Sequence, residues 1–253
     1  VITCPADVTL DCPADTSVAN TGLATATDNC SSVTINYSNA ITPDCGSTYT
    51  ITRTWLAVDA CGNSARCEQT ITVQDTTAPV ITCPADVTLD CPADTSVTNT
   101  GLATATDNCS SVTITYSNAI TPDCGNTYTI TRSWLAVDAC GNSARCAQTI
   151  TVQDTTAPVI TCPADVTLDC PADTSVTNTG LATATDNCSS LTINYNNAIT
   201  TDCGSTYTIT RTWLAVDACG NSARCEQTIT VQDTTAPVIT CPIDITLDCP
   251  ADT

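Results

Sequence analysis

The stretch TYTITRTWLAVDACGNSARCEQTITVQ, residues 48–74, contains the two longest strand patterns of the chain and the turn between them. Apolar and polar residues alternate through residues 48–58 and again through residues 68–74, and DACGNS, residues 59–64, separates the two runs. Alternation with a period of two is typical of half-buried antiparallel strands, and a cluster of Asp, Gly, Asn and Ser is typical of a turn. The stretch therefore predicts a β-hairpin with one apolar face.

The whole sequence, and not only this hairpin, repeats every 79 residues, as the spacing of Trp55, Trp134 and Trp213 shows. The second copy differs from the first at five positions and the third differs from it at four. A period of this length predicts separate domains rather than one large core. The expected domains are residues 1–79, 80–158 and 159–237, followed by residues 238–253 as the first strand of a truncated fourth repeat. Since the repeat pattern is already under way at the first residue and the sequence stops inside a repeat, we interpret it as part of a longer chain.

Each repeat adds shorter strand patterns to the hairpin, such as VTINY at residues 33–37, and no helical periodicity. Turn residues cluster at residues 12–15, 28–32 and 43–47. Several short strands in about 80 residues indicate an all-β fold, a tandem array of immunoglobulin-like β-sandwich domains stapled by disulfides. Arg53 falls on the apolar face of the hairpin, so we expect it at the edge of the sandwich, stacked on an aromatic ring or paired with an Asp.

Cysteine is abundant and large apolar residues are scarce. The 20 cysteines are six per repeat plus Cys241 and Cys249, whereas each repeat has one Trp and two Tyr, and the chain has no Phe or Met. Small secreted domains with thin cores compensate with disulfides, which form in oxidising compartments. No CxxC pair is present, so a zinc site is not expected.

The chain is strongly acidic, with a formal net charge of −20 and neither Lys nor His. This charge argues against nucleic acid and anionic membrane surfaces as partners, because both require a basic face. No apolar run approaches the roughly 18 residues of a membrane span. The usual general bases, Schiff-base formers and phosphate-binding loops are also missing, so we do not expect an enzyme.

The order of short motifs resembles the hyalin repeat family, and in particular the cysteine-rich tandem repeats of large bacterial surface proteins. The motifs are CPADVT, ATATDN, VDACGNSARC and TITVQDTTAP, and they recur in every full repeat. The resemblance implies an immunoglobulin-like, extracellular, non-catalytic module used in adhesion. Two cysteines common in that family match Cys4 and Cys67.

Six cysteines allow fifteen pairings, and the sandwich fold narrows them. We expect the first strand beside the last, and the loops at each end of the sandwich joined to one another. The expected disulfides are Cys4–Cys67, Cys12–Cys45, Cys30–Cys61, Cys83–Cys146, Cys91–Cys124, Cys109–Cys140, Cys162–Cys225, Cys170–Cys203 and Cys188–Cys219.

Acidic residues converge where one repeat meets the next, and they form a candidate calcium site. Calcium takes six to eight oxygen ligands from carboxylates, amides and carbonyls. At the first junction the candidates are Asp75, Asp107, Asn108 and Asp138; at the second they are Asp154, Asp186, Asn187 and Asp217. The alternative is that these residues only form turns and keep the surface soluble. The linker, DTTAP at residues 75–79, is short, so neighbouring repeats should touch and the array should be semi-rigid.

These patterns favour a secreted or cell-surface structural protein, a fibre or adhesin stalk whose partners are its own neighbouring repeats and further copies. The alternative is a multivalent adhesion module that binds carbohydrate or protein weakly at each repeat. Against it, the Trp and Tyr residues lie on strand faces that favour burial, which leaves no cluster of exposed aromatic rings. Candidate glycan acceptors are the N-x-S/T triplets at Asn29, Asn108 and Asn187, each with a cysteine in the middle, and at Asn36.

Overall fold

The computed structural model of the protein describes residues 1–246 and divides into two compact units, Val1–Gln153 and Asp154–Thr253. In the first unit the elements are β1 (Ile2–Thr3), β2 (Val8–Asp11), α1 (Val18–Thr21), β3 (Thr25–Ala26), β4 (Val33–Pro43), β5 (Tyr49–Asp59), β6 (Ser64–Gln74), β7 (Val80–Thr82), β8 (Val87–Asp90), α2 (Val97–Thr100), β9 (Thr104–Thr106), β10 (Val112–Pro122), β11 (Tyr128–Asp138) and β12 (Ser143–Gln153). In the second unit they are β13 (Val159–Thr161), β14 (Val166–Asp169), α3 (Val176–Thr179), β15 (Thr183–Thr185), β16 (Leu191–Thr201), β17 (Tyr207–Asp217) and β18 (Ser222–Gln232). No helix among the described residues is long and apolar enough to cross a membrane.

Each repeat has a four-stranded sheet and a two-stranded sheet, which gives the immunoglobulin-like all-β fold expected from the sequence. In the first repeat the order is β2-β6-β5-β4, and β1 pairs with β3. The pairs β4–β5 and β5–β6 are antiparallel, but β2 pairs with β6 in parallel, with Val8 opposite Ile71. Parallel pairing needs a long connection, which the intervening part of the domain supplies. The alternation in the sequence did not reveal this parallel pair.

The hairpin predicted from residues 48–74 is confirmed. The residues of β5 face those of β6 from Tyr49↔Val73 to Val58↔Ser64. The turn closes through hydrogen bonds from the Asp59 N–H to the Asn63 carbonyl and from the Gly62 N–H to the Asp59 carbonyl. Gly62 has φ of 88°, a left-handed conformation that glycine adopts without steric cost.

The core lies on the β5–β6 face that the alternation marks. Trp55 and Ile71 are almost completely buried there, and so is Arg53, which is only 2 % exposed. The Arg53 nitrogens donate to the Asn39 side chain at 3.0 Å, the Thr21 hydroxyl at 2.6 Å and the Thr16 carbonyl at 2.7 Å. Its guanidinium also lies 5.0 Å from the centre of the Tyr37 ring.

The expected stacking of Arg53 on an aromatic ring is therefore confirmed. The expectation that Arg53 lies at the sandwich edge is wrong, and its partners are neutral groups and not an Asp. Neutral oxygen acceptors from two segments satisfy the fork of the guanidinium, which is what allows a cation to be buried here. The corresponding bonds recur at Arg132 and Arg211.

Only one of the three disulfides expected in each repeat is confirmed, the one that joins the segment after its first strand to its last strand. The structure contains Cys4–Cys67, Cys83–Cys146 and Cys162–Cys225, each closing its own repeat with Cα atoms 5.8 to 5.9 Å apart. Cys67 lies opposite Trp55 on the neighbouring strand, so this disulfide reinforces the sheet beside the largest core side chain.

The pairing expected at the ends of the repeats is wrong. Cys12 bonds to Cys109 rather than to Cys45, and Cys45 bonds to Cys140, so both disulfides link the first repeat to the second. The pairs Cys12–Cys45 and Cys109–Cys140 are thereby excluded. The expected partners Cys30 and Cys61 are free thiols, and so are Cys170 and Cys203. The physical reason is that each of these two loops of the first repeat lies within disulfide distance of a loop of the second, with Cα atoms 5.7 Å apart for Cys12–Cys109 and 5.1 Å apart for Cys45–Cys140.

Cys91, Cys124, Cys188 and Cys219 also take part in disulfides. Their expected pairs, Cys91–Cys124 and Cys188–Cys219, have counterparts in the first unit that the structure excludes. The near identity of the repeats therefore removes the support for these two pairs.

The expected first strand of a fourth repeat is not formed in the part that the structure describes. Residues 238–246 have no assigned strand, and residues 247–253 lie outside the described residues. The counterpart β7 is a strand because it pairs with β9. Residues 238–253 contain no ATATDN segment that could supply such a partner.

Candidate metal centre

The two inter-repeat disulfides bring acidic loops together at the junction of the first two repeats. Asp75 follows β6, Asp107 precedes the bonded Cys109, and Asp138 ends β11 just before the bonded Cys140. Each of the three can place a carboxylate oxygen within 4.8 Å of the others. The sequence prediction that Asp75, Asp107 and Asp138 converge therefore has a geometric basis.

Local turn chemistry fixes two of these carboxylates. One oxygen of Asp107 accepts the N–H groups of Cys109 at 2.8 Å and Ser110 at 2.9 Å. One oxygen of Asp138 accepts the N–H groups of Cys140 at 2.8 Å and Asn142 at 2.9 Å, and its other oxygen accepts the Asn142 amide. These are Asx turns. The turn at Asp107 uses one carboxylate oxygen and leaves the other for a metal, whereas hydrogen bonds engage both oxygens of Asp138.

The turns leave some carboxylate oxygens of the cluster without a hydrogen-bond partner. The second carboxylate oxygens of Asp75 and Asp107 are buried and have no hydrogen-bond partner. Asp138 beside them is also buried, with 6 % of its surface exposed. Buried carboxylate oxygens without partners are costly, and three neighbouring negative charges repel one another. A divalent cation would remove both penalties, and oxygen-only ligands are what calcium prefers. The donor set therefore fits calcium, with Asp75, Asp107 and Asp138 as the residues that would hold it.

The charge state of Asp138 suits a cation. Burial alone would raise the pKa of Asp138, but hydrogen bonds from the Asn142 side chain, from its N–H and from the Cys140 N–H outweigh burial and hold that pKa below its ordinary value. Asp138 is therefore a carboxylate at neutral pH and is available as a ligand.

The second unit repeats the cluster with Asp154, Asp186 and Asp217. Asp154 is 9 % exposed and Asp217 6 % exposed. The second oxygen of Asp186 is again buried without a partner, and the backbone hydrogen bond from Cys188 is the main cause that lowers the pKa of this carboxyl. Asp154 differs slightly from Asp75, because one of its oxygens accepts the Ser189 hydroxyl at 3.4 Å.

Asn108 makes a contact that the sequence did not predict. Its amide nitrogen donates to the Cys12 carbonyl and so ties the two repeats together beside their disulfide. The residue that sequence reasoning missed is Asn142, whose amide donates to the Asp75 carbonyl at 3.0 Å and to Asp138 at 2.8 Å. The signal was present in the sequence, since Asn142 belongs to the same DACGNS turn as Asp138. Asn221 repeats both contacts with Asp154 and Asp217.

The first repeat shows the same turns without a third carboxylate. Asp28 accepts the N–H groups of Cys30 and Ser31, and Asp59 accepts those of Cys61 and Asn63. These two residues, with Asn63, line an open cavity that also reaches Val1. Asp28 and Asp59 correspond to Asp107 and Asp138, two of the three carboxylates of the cluster.

The edge strand β4 is less well covered than its sequence suggested. Tyr37 packs its ring against Trp55 at 5.1 Å and over Arg53, yet half of it is exposed, and Ile41 on the same strand is 62 % exposed. The expectation that the tyrosines are buried is wrong for this position, because β4 is the edge strand of its sheet. Tyr116 and Tyr195 are similarly exposed.

No family model and no curated protein matches the chain. The resemblance to hyalin repeats therefore has no independent match behind it.

Solved structures to which this chain is similar include extracellular regions of cadherins. The protocadherin gamma-B4 extracellular domain is 17 % identical with a TM-score of 0.32 and covers 79 % of this chain, which spans 43 % of that one. A mouse clustered protocadherin fragment is 16 % identical with a TM-score of 0.31, and 75 % of this chain and 79 % of that chain are covered. Drosophila N-cadherin EC1-4 is 13 % identical with a TM-score of 0.31, and 90 % of this chain and 73 % of that chain are covered. Likenesses this weak say nothing about function.

Proposed function

We propose that this chain is a non-catalytic extracellular structural protein, a segment of a fibre or adhesin stalk of the hyalin-repeat type, whose consecutive repeats are locked together. The observation that supports this most directly is the pair of disulfides Cys12–Cys109 and Cys45–Cys140. With the linker at residues 75–79 they make three covalent connections across one junction. Such disulfides form and persist outside reducing compartments.

Three covalent connections restrain the orientation of the two repeats, which the linker alone cannot do. A five-residue linker restrains the distance between two domains but leaves their orientation free to vary. Two further links, at the Cys12 loop and the Cys45 loop, restrain rotation about the linker, and the Asn108 and Asn142 amides add hydrogen bonds across the same junction. Calcium held by Asp75, Asp107 and Asp138 would add a fourth restraint. A load-bearing array benefits from this stiffness, whereas an enzyme gains nothing evident from it.

The test is the spread of distances between the first and second repeats. Paramagnetic labels at Ile41 and Ile120, both 62 % exposed, are attached through a non-cysteine chemistry, and the distance distribution is measured by electron spin resonance. We expect a single narrow distribution for the intact chain. Replacing Cys12, Cys45, Cys109 and Cys140 together by Ser should broaden it, while Cys30→Ser with Cys61→Ser, which removes two free thiols, should not. An equally narrow distribution in the fourfold variant would contradict the locking role.

A second candidate function, weak multivalent adhesion to carbohydrate or protein, is favoured by the exposed Tyr37 and its two counterparts. Identical rings repeated along one chain could act together through avidity. Replacing all three tyrosines by Ser should then abolish binding on a glycan or cell-surface array, and replacing the three exposed isoleucines at positions 41, 120 and 199 serves as the control. Glycans on Asn36, which lies on the same exposed strand, remain a prediction for mass spectrometry.

A further inference from the structure

The free edge of the four-stranded sheet is a surface of each repeat that the junctions do not use. β4 is the last strand in the order β2-β6-β5-β4, and among the described residues it pairs only with β5. Residues 37–43 of this strand are all exposed, so neither face of that part of the strand is covered. The middle repeat, which is flanked by a repeat on each side in the chain, shows the same exposure, with Tyr116 50 % and Ile120 62 % exposed. The open edge is therefore a property of the repeat itself.

The hairpin between β4 and β5 shows which backbone groups face the open edge. The Asp44 N–H donates to the Thr48 carbonyl, just beyond the ends of the two strands. Since hydrogen-bonded and non-hydrogen-bonded pairs alternate along an antiparallel ladder, the even-numbered residues of β4 bond to β5 and the odd-numbered ones point outward. Tyr37, Asn39 and Ile41 therefore present their backbone N–H and C=O groups at the edge of the sheet.

The position of Pro43 agrees with this assignment. Proline has no N–H, and in sheets it is found on edge strands, with that position facing outward. Pro43 and its counterpart Pro122 are odd-numbered and even-numbered in step with Tyr37 and Tyr116, so no bond to the neighbouring strand is lost. Because Pro43 is the last residue of β4, it leaves the outward groups of the preceding residues open.

The opposite edge of the same sheet is protected, whereas β4 is not. β2 has only four residues, with Asp7 directly before it and Asp11 at its end. Natural proteins protect sheet edges with short strands and charges, because a long uncharged edge pairs with other chains. β4 has 11 residues and no charged side chain. The repeat therefore protects one edge and leaves the other able to pair.

The segment around β4 is uncharged in a chain whose formal net charge is −20. No charged residue lies between Asp28 and Asp44, or in the corresponding segments of the other two repeats. The repeats differ at several positions of β4, and no replacement introduces a charge. These positions are Val33/Leu191, Asn36/Thr115, Ser38/Asn196 and Pro43/Thr201. Two copies can therefore approach at this edge with less like-charge repulsion than at the acidic loops.

We propose that a second copy of this chain pairs laterally with the first, β4 against β4, so that two four-stranded sheets join into one. The interaction surface, the β4 edge, consists of residues 37–43 and their counterparts at residues 116–122 and 195–201. A contact in which one strand meets its own copy has two-fold symmetry, which makes the two strands antiparallel. The inference rests on the extracellular structural role proposed above and extends it from one chain to a bundle of chains.

A second copy fits the β4 edge in its backbone chemistry and in its number of sites. Outward N–H and C=O groups along a sheet edge are matched by another extended strand, and β4 of a second copy is such a strand. The chain also carries the β4 edge three times, so two copies can form several contacts and gain avidity. A partner with a single strand would form only one contact.

Pairing would also cover the exposed apolar side chains of the strand. Tyr37 is 50 % exposed and Ile41 62 % exposed, and Tyr37 lies opposite Trp55 of β5. Since the outward backbone groups are odd-numbered in both copies, the odd-numbered side chains of the two strands become neighbours on one face. Tyr37 and Ile41 of one copy would therefore pack against the odd-numbered side chains of the other.

The test measures the association of full chain whose free thiols have been alkylated, so that no disulfide forms between copies. An edge-blocked variant replaces the exposed isoleucine of each β4 edge: Ile41→Lys, Ile120→Lys and Ile199→Lys. A charge-matched control adds the same charges at exposed positions of β6 and its counterparts: Thr70→Lys, Thr149→Lys and Thr228→Lys.

Sedimentation velocity at rising protein concentration should show dimers of the unmodified chain and of the charge-matched control. The association constant of the edge-blocked variant should be lower by roughly tenfold or more, because a lysine in a paired edge loses its hydration.

A photo-reactive benzoylphenylalanine in place of Tyr37 locates the contact. Chains with natural nitrogen and chains with isotopically heavy nitrogen are mixed, so that a cross-link between copies joins one light and one heavy peptide. We expect these mixed peptides to come from the β4 edges of both copies. The edge-blocked variant should lose them.

Three results would overturn the proposal: an unmodified chain that stays monomeric, an edge-blocked variant that associates as strongly as the charge-matched control, or cross-links between copies that map outside the β4 edges. The Cys12–Cys109 link is mapped in every sample as the folding control. If it is present and no dimer forms, lateral pairing fails while the proposed locking of neighbouring repeats stands. If it is absent from the oxidised, folded chain, the locking role itself fails.

Discussion

At the scale of the residue, one aspartate per turn performs two tasks. Asp138 accepts two backbone N–H groups with one oxygen and so shapes the DACGNS turn, and its burial beside Asp75 and Asp107 makes it a candidate ligand. Asp59 shapes the identical turn in the first repeat, but no third carboxylate lies beside it among the described residues. Comparing the two residues therefore tests turn formation separately from the proposed cation binding.

We expect thiol-blocked, monomeric chain to bind two calcium ions, one at each complete cluster. Asp138→Asn should reduce the stoichiometry to one, because the amide keeps the turn but removes a charge, and Asp138→Asn with Asp217→Asn should reduce it to zero. Isothermal titration measures the numbers directly. At a calcium concentration of about 100 times the dissociation constant, each site should add roughly 2.7 kcal/mol to the free energy of unfolding of its unit.

Asp59→Asn is the matched control for this titration. It changes the same position of the same turn and should leave two ions bound. If the unmodified chain takes up no calcium and its melting temperature does not move with chelator, the three aspartates are turn formers only.

Gly46 tests the close approach of the two repeats. Gly46→Ala should disfavour the Cys45–Cys140 disulfide, because the new Cβ would collide with Ser110, an overpacking cost of about 1–3 kcal/mol. Gly204→Ala carries the same left-handed strain without a neighbour and is the control. The measurement is the fraction of Cys45–Cys140 at a fixed glutathione ratio, and equal fractions in the two variants would mean that the loops do not touch.

At the scale of the element, a buried arginine ties α1 and the residues before it to the four-stranded sheet. Arg53 on β5 reaches Asn39 on β4, Thr21 at the end of α1 and the Thr16 carbonyl before it. Gln69 on β6 similarly donates to the Ala6 and Thr21 carbonyls. These polar side chains hold the connection between β2 and β3 against the four-stranded sheet, a task that a thin core leaves to them.

Arg53→Lys should lower the free energy of unfolding of the first repeat by roughly 2 kcal/mol or more. The ammonium cannot reproduce the three-way contact of the planar fork and leaves buried acceptors unpaired. Faster amide hydrogen exchange in β5 and α1 would report the loss. Arg66→Lys, on the exposed face of β6, should change exchange little, and equal effects of the two variants would show that the buried contacts contribute nothing.

At the scale of the whole molecule, the two kinds of disulfide should respond differently to force. When the chain is pulled from its two ends, Cys4–Cys67 transmits the force past the 63 residues that separate its two cysteines. A force path through Cys12–Cys109 would leave more residues free to extend. In single-molecule pulling, Cys4→Ser with Cys67→Ser should therefore lengthen the fully extended chain by roughly 6 nm, because the shortest remaining path runs through Cys12–Cys109 and back along the chain to Cys83–Cys146. Cys12→Ser with Cys109→Ser should not lengthen it. A similar gain in both variants would contradict the disulfide pattern.

The sequence by itself determined the parts of this protein that depend on local pattern. Alternation and turn residues predicted the hairpin of β5 and β6, composition predicted the disulfides, and the 79-residue period predicted that any junction would recur. Cys4–Cys67 could be expected because Cys4 directly follows the first strand and Cys67 lies on the last, and the sandwich fold places these two strands side by side. The clustering of Asp75, Asp107 and Asp138 could be expected because each precedes or follows a strand at the same end.

Only the tertiary structure decided which loops face each other across a junction, and hence that Cys12 and Cys45 bond to the next repeat. Periodic sequence cannot distinguish a partner within a repeat from the same residue 79 positions away, because the two have identical surroundings in the sequence. Tertiary structure also placed Arg53 in the core, since neutral oxygens from distant segments converge on it and offset the cost of burying its charge. Contacts between residues far apart in the chain carry no local signal, and these are the contacts that join the repeats.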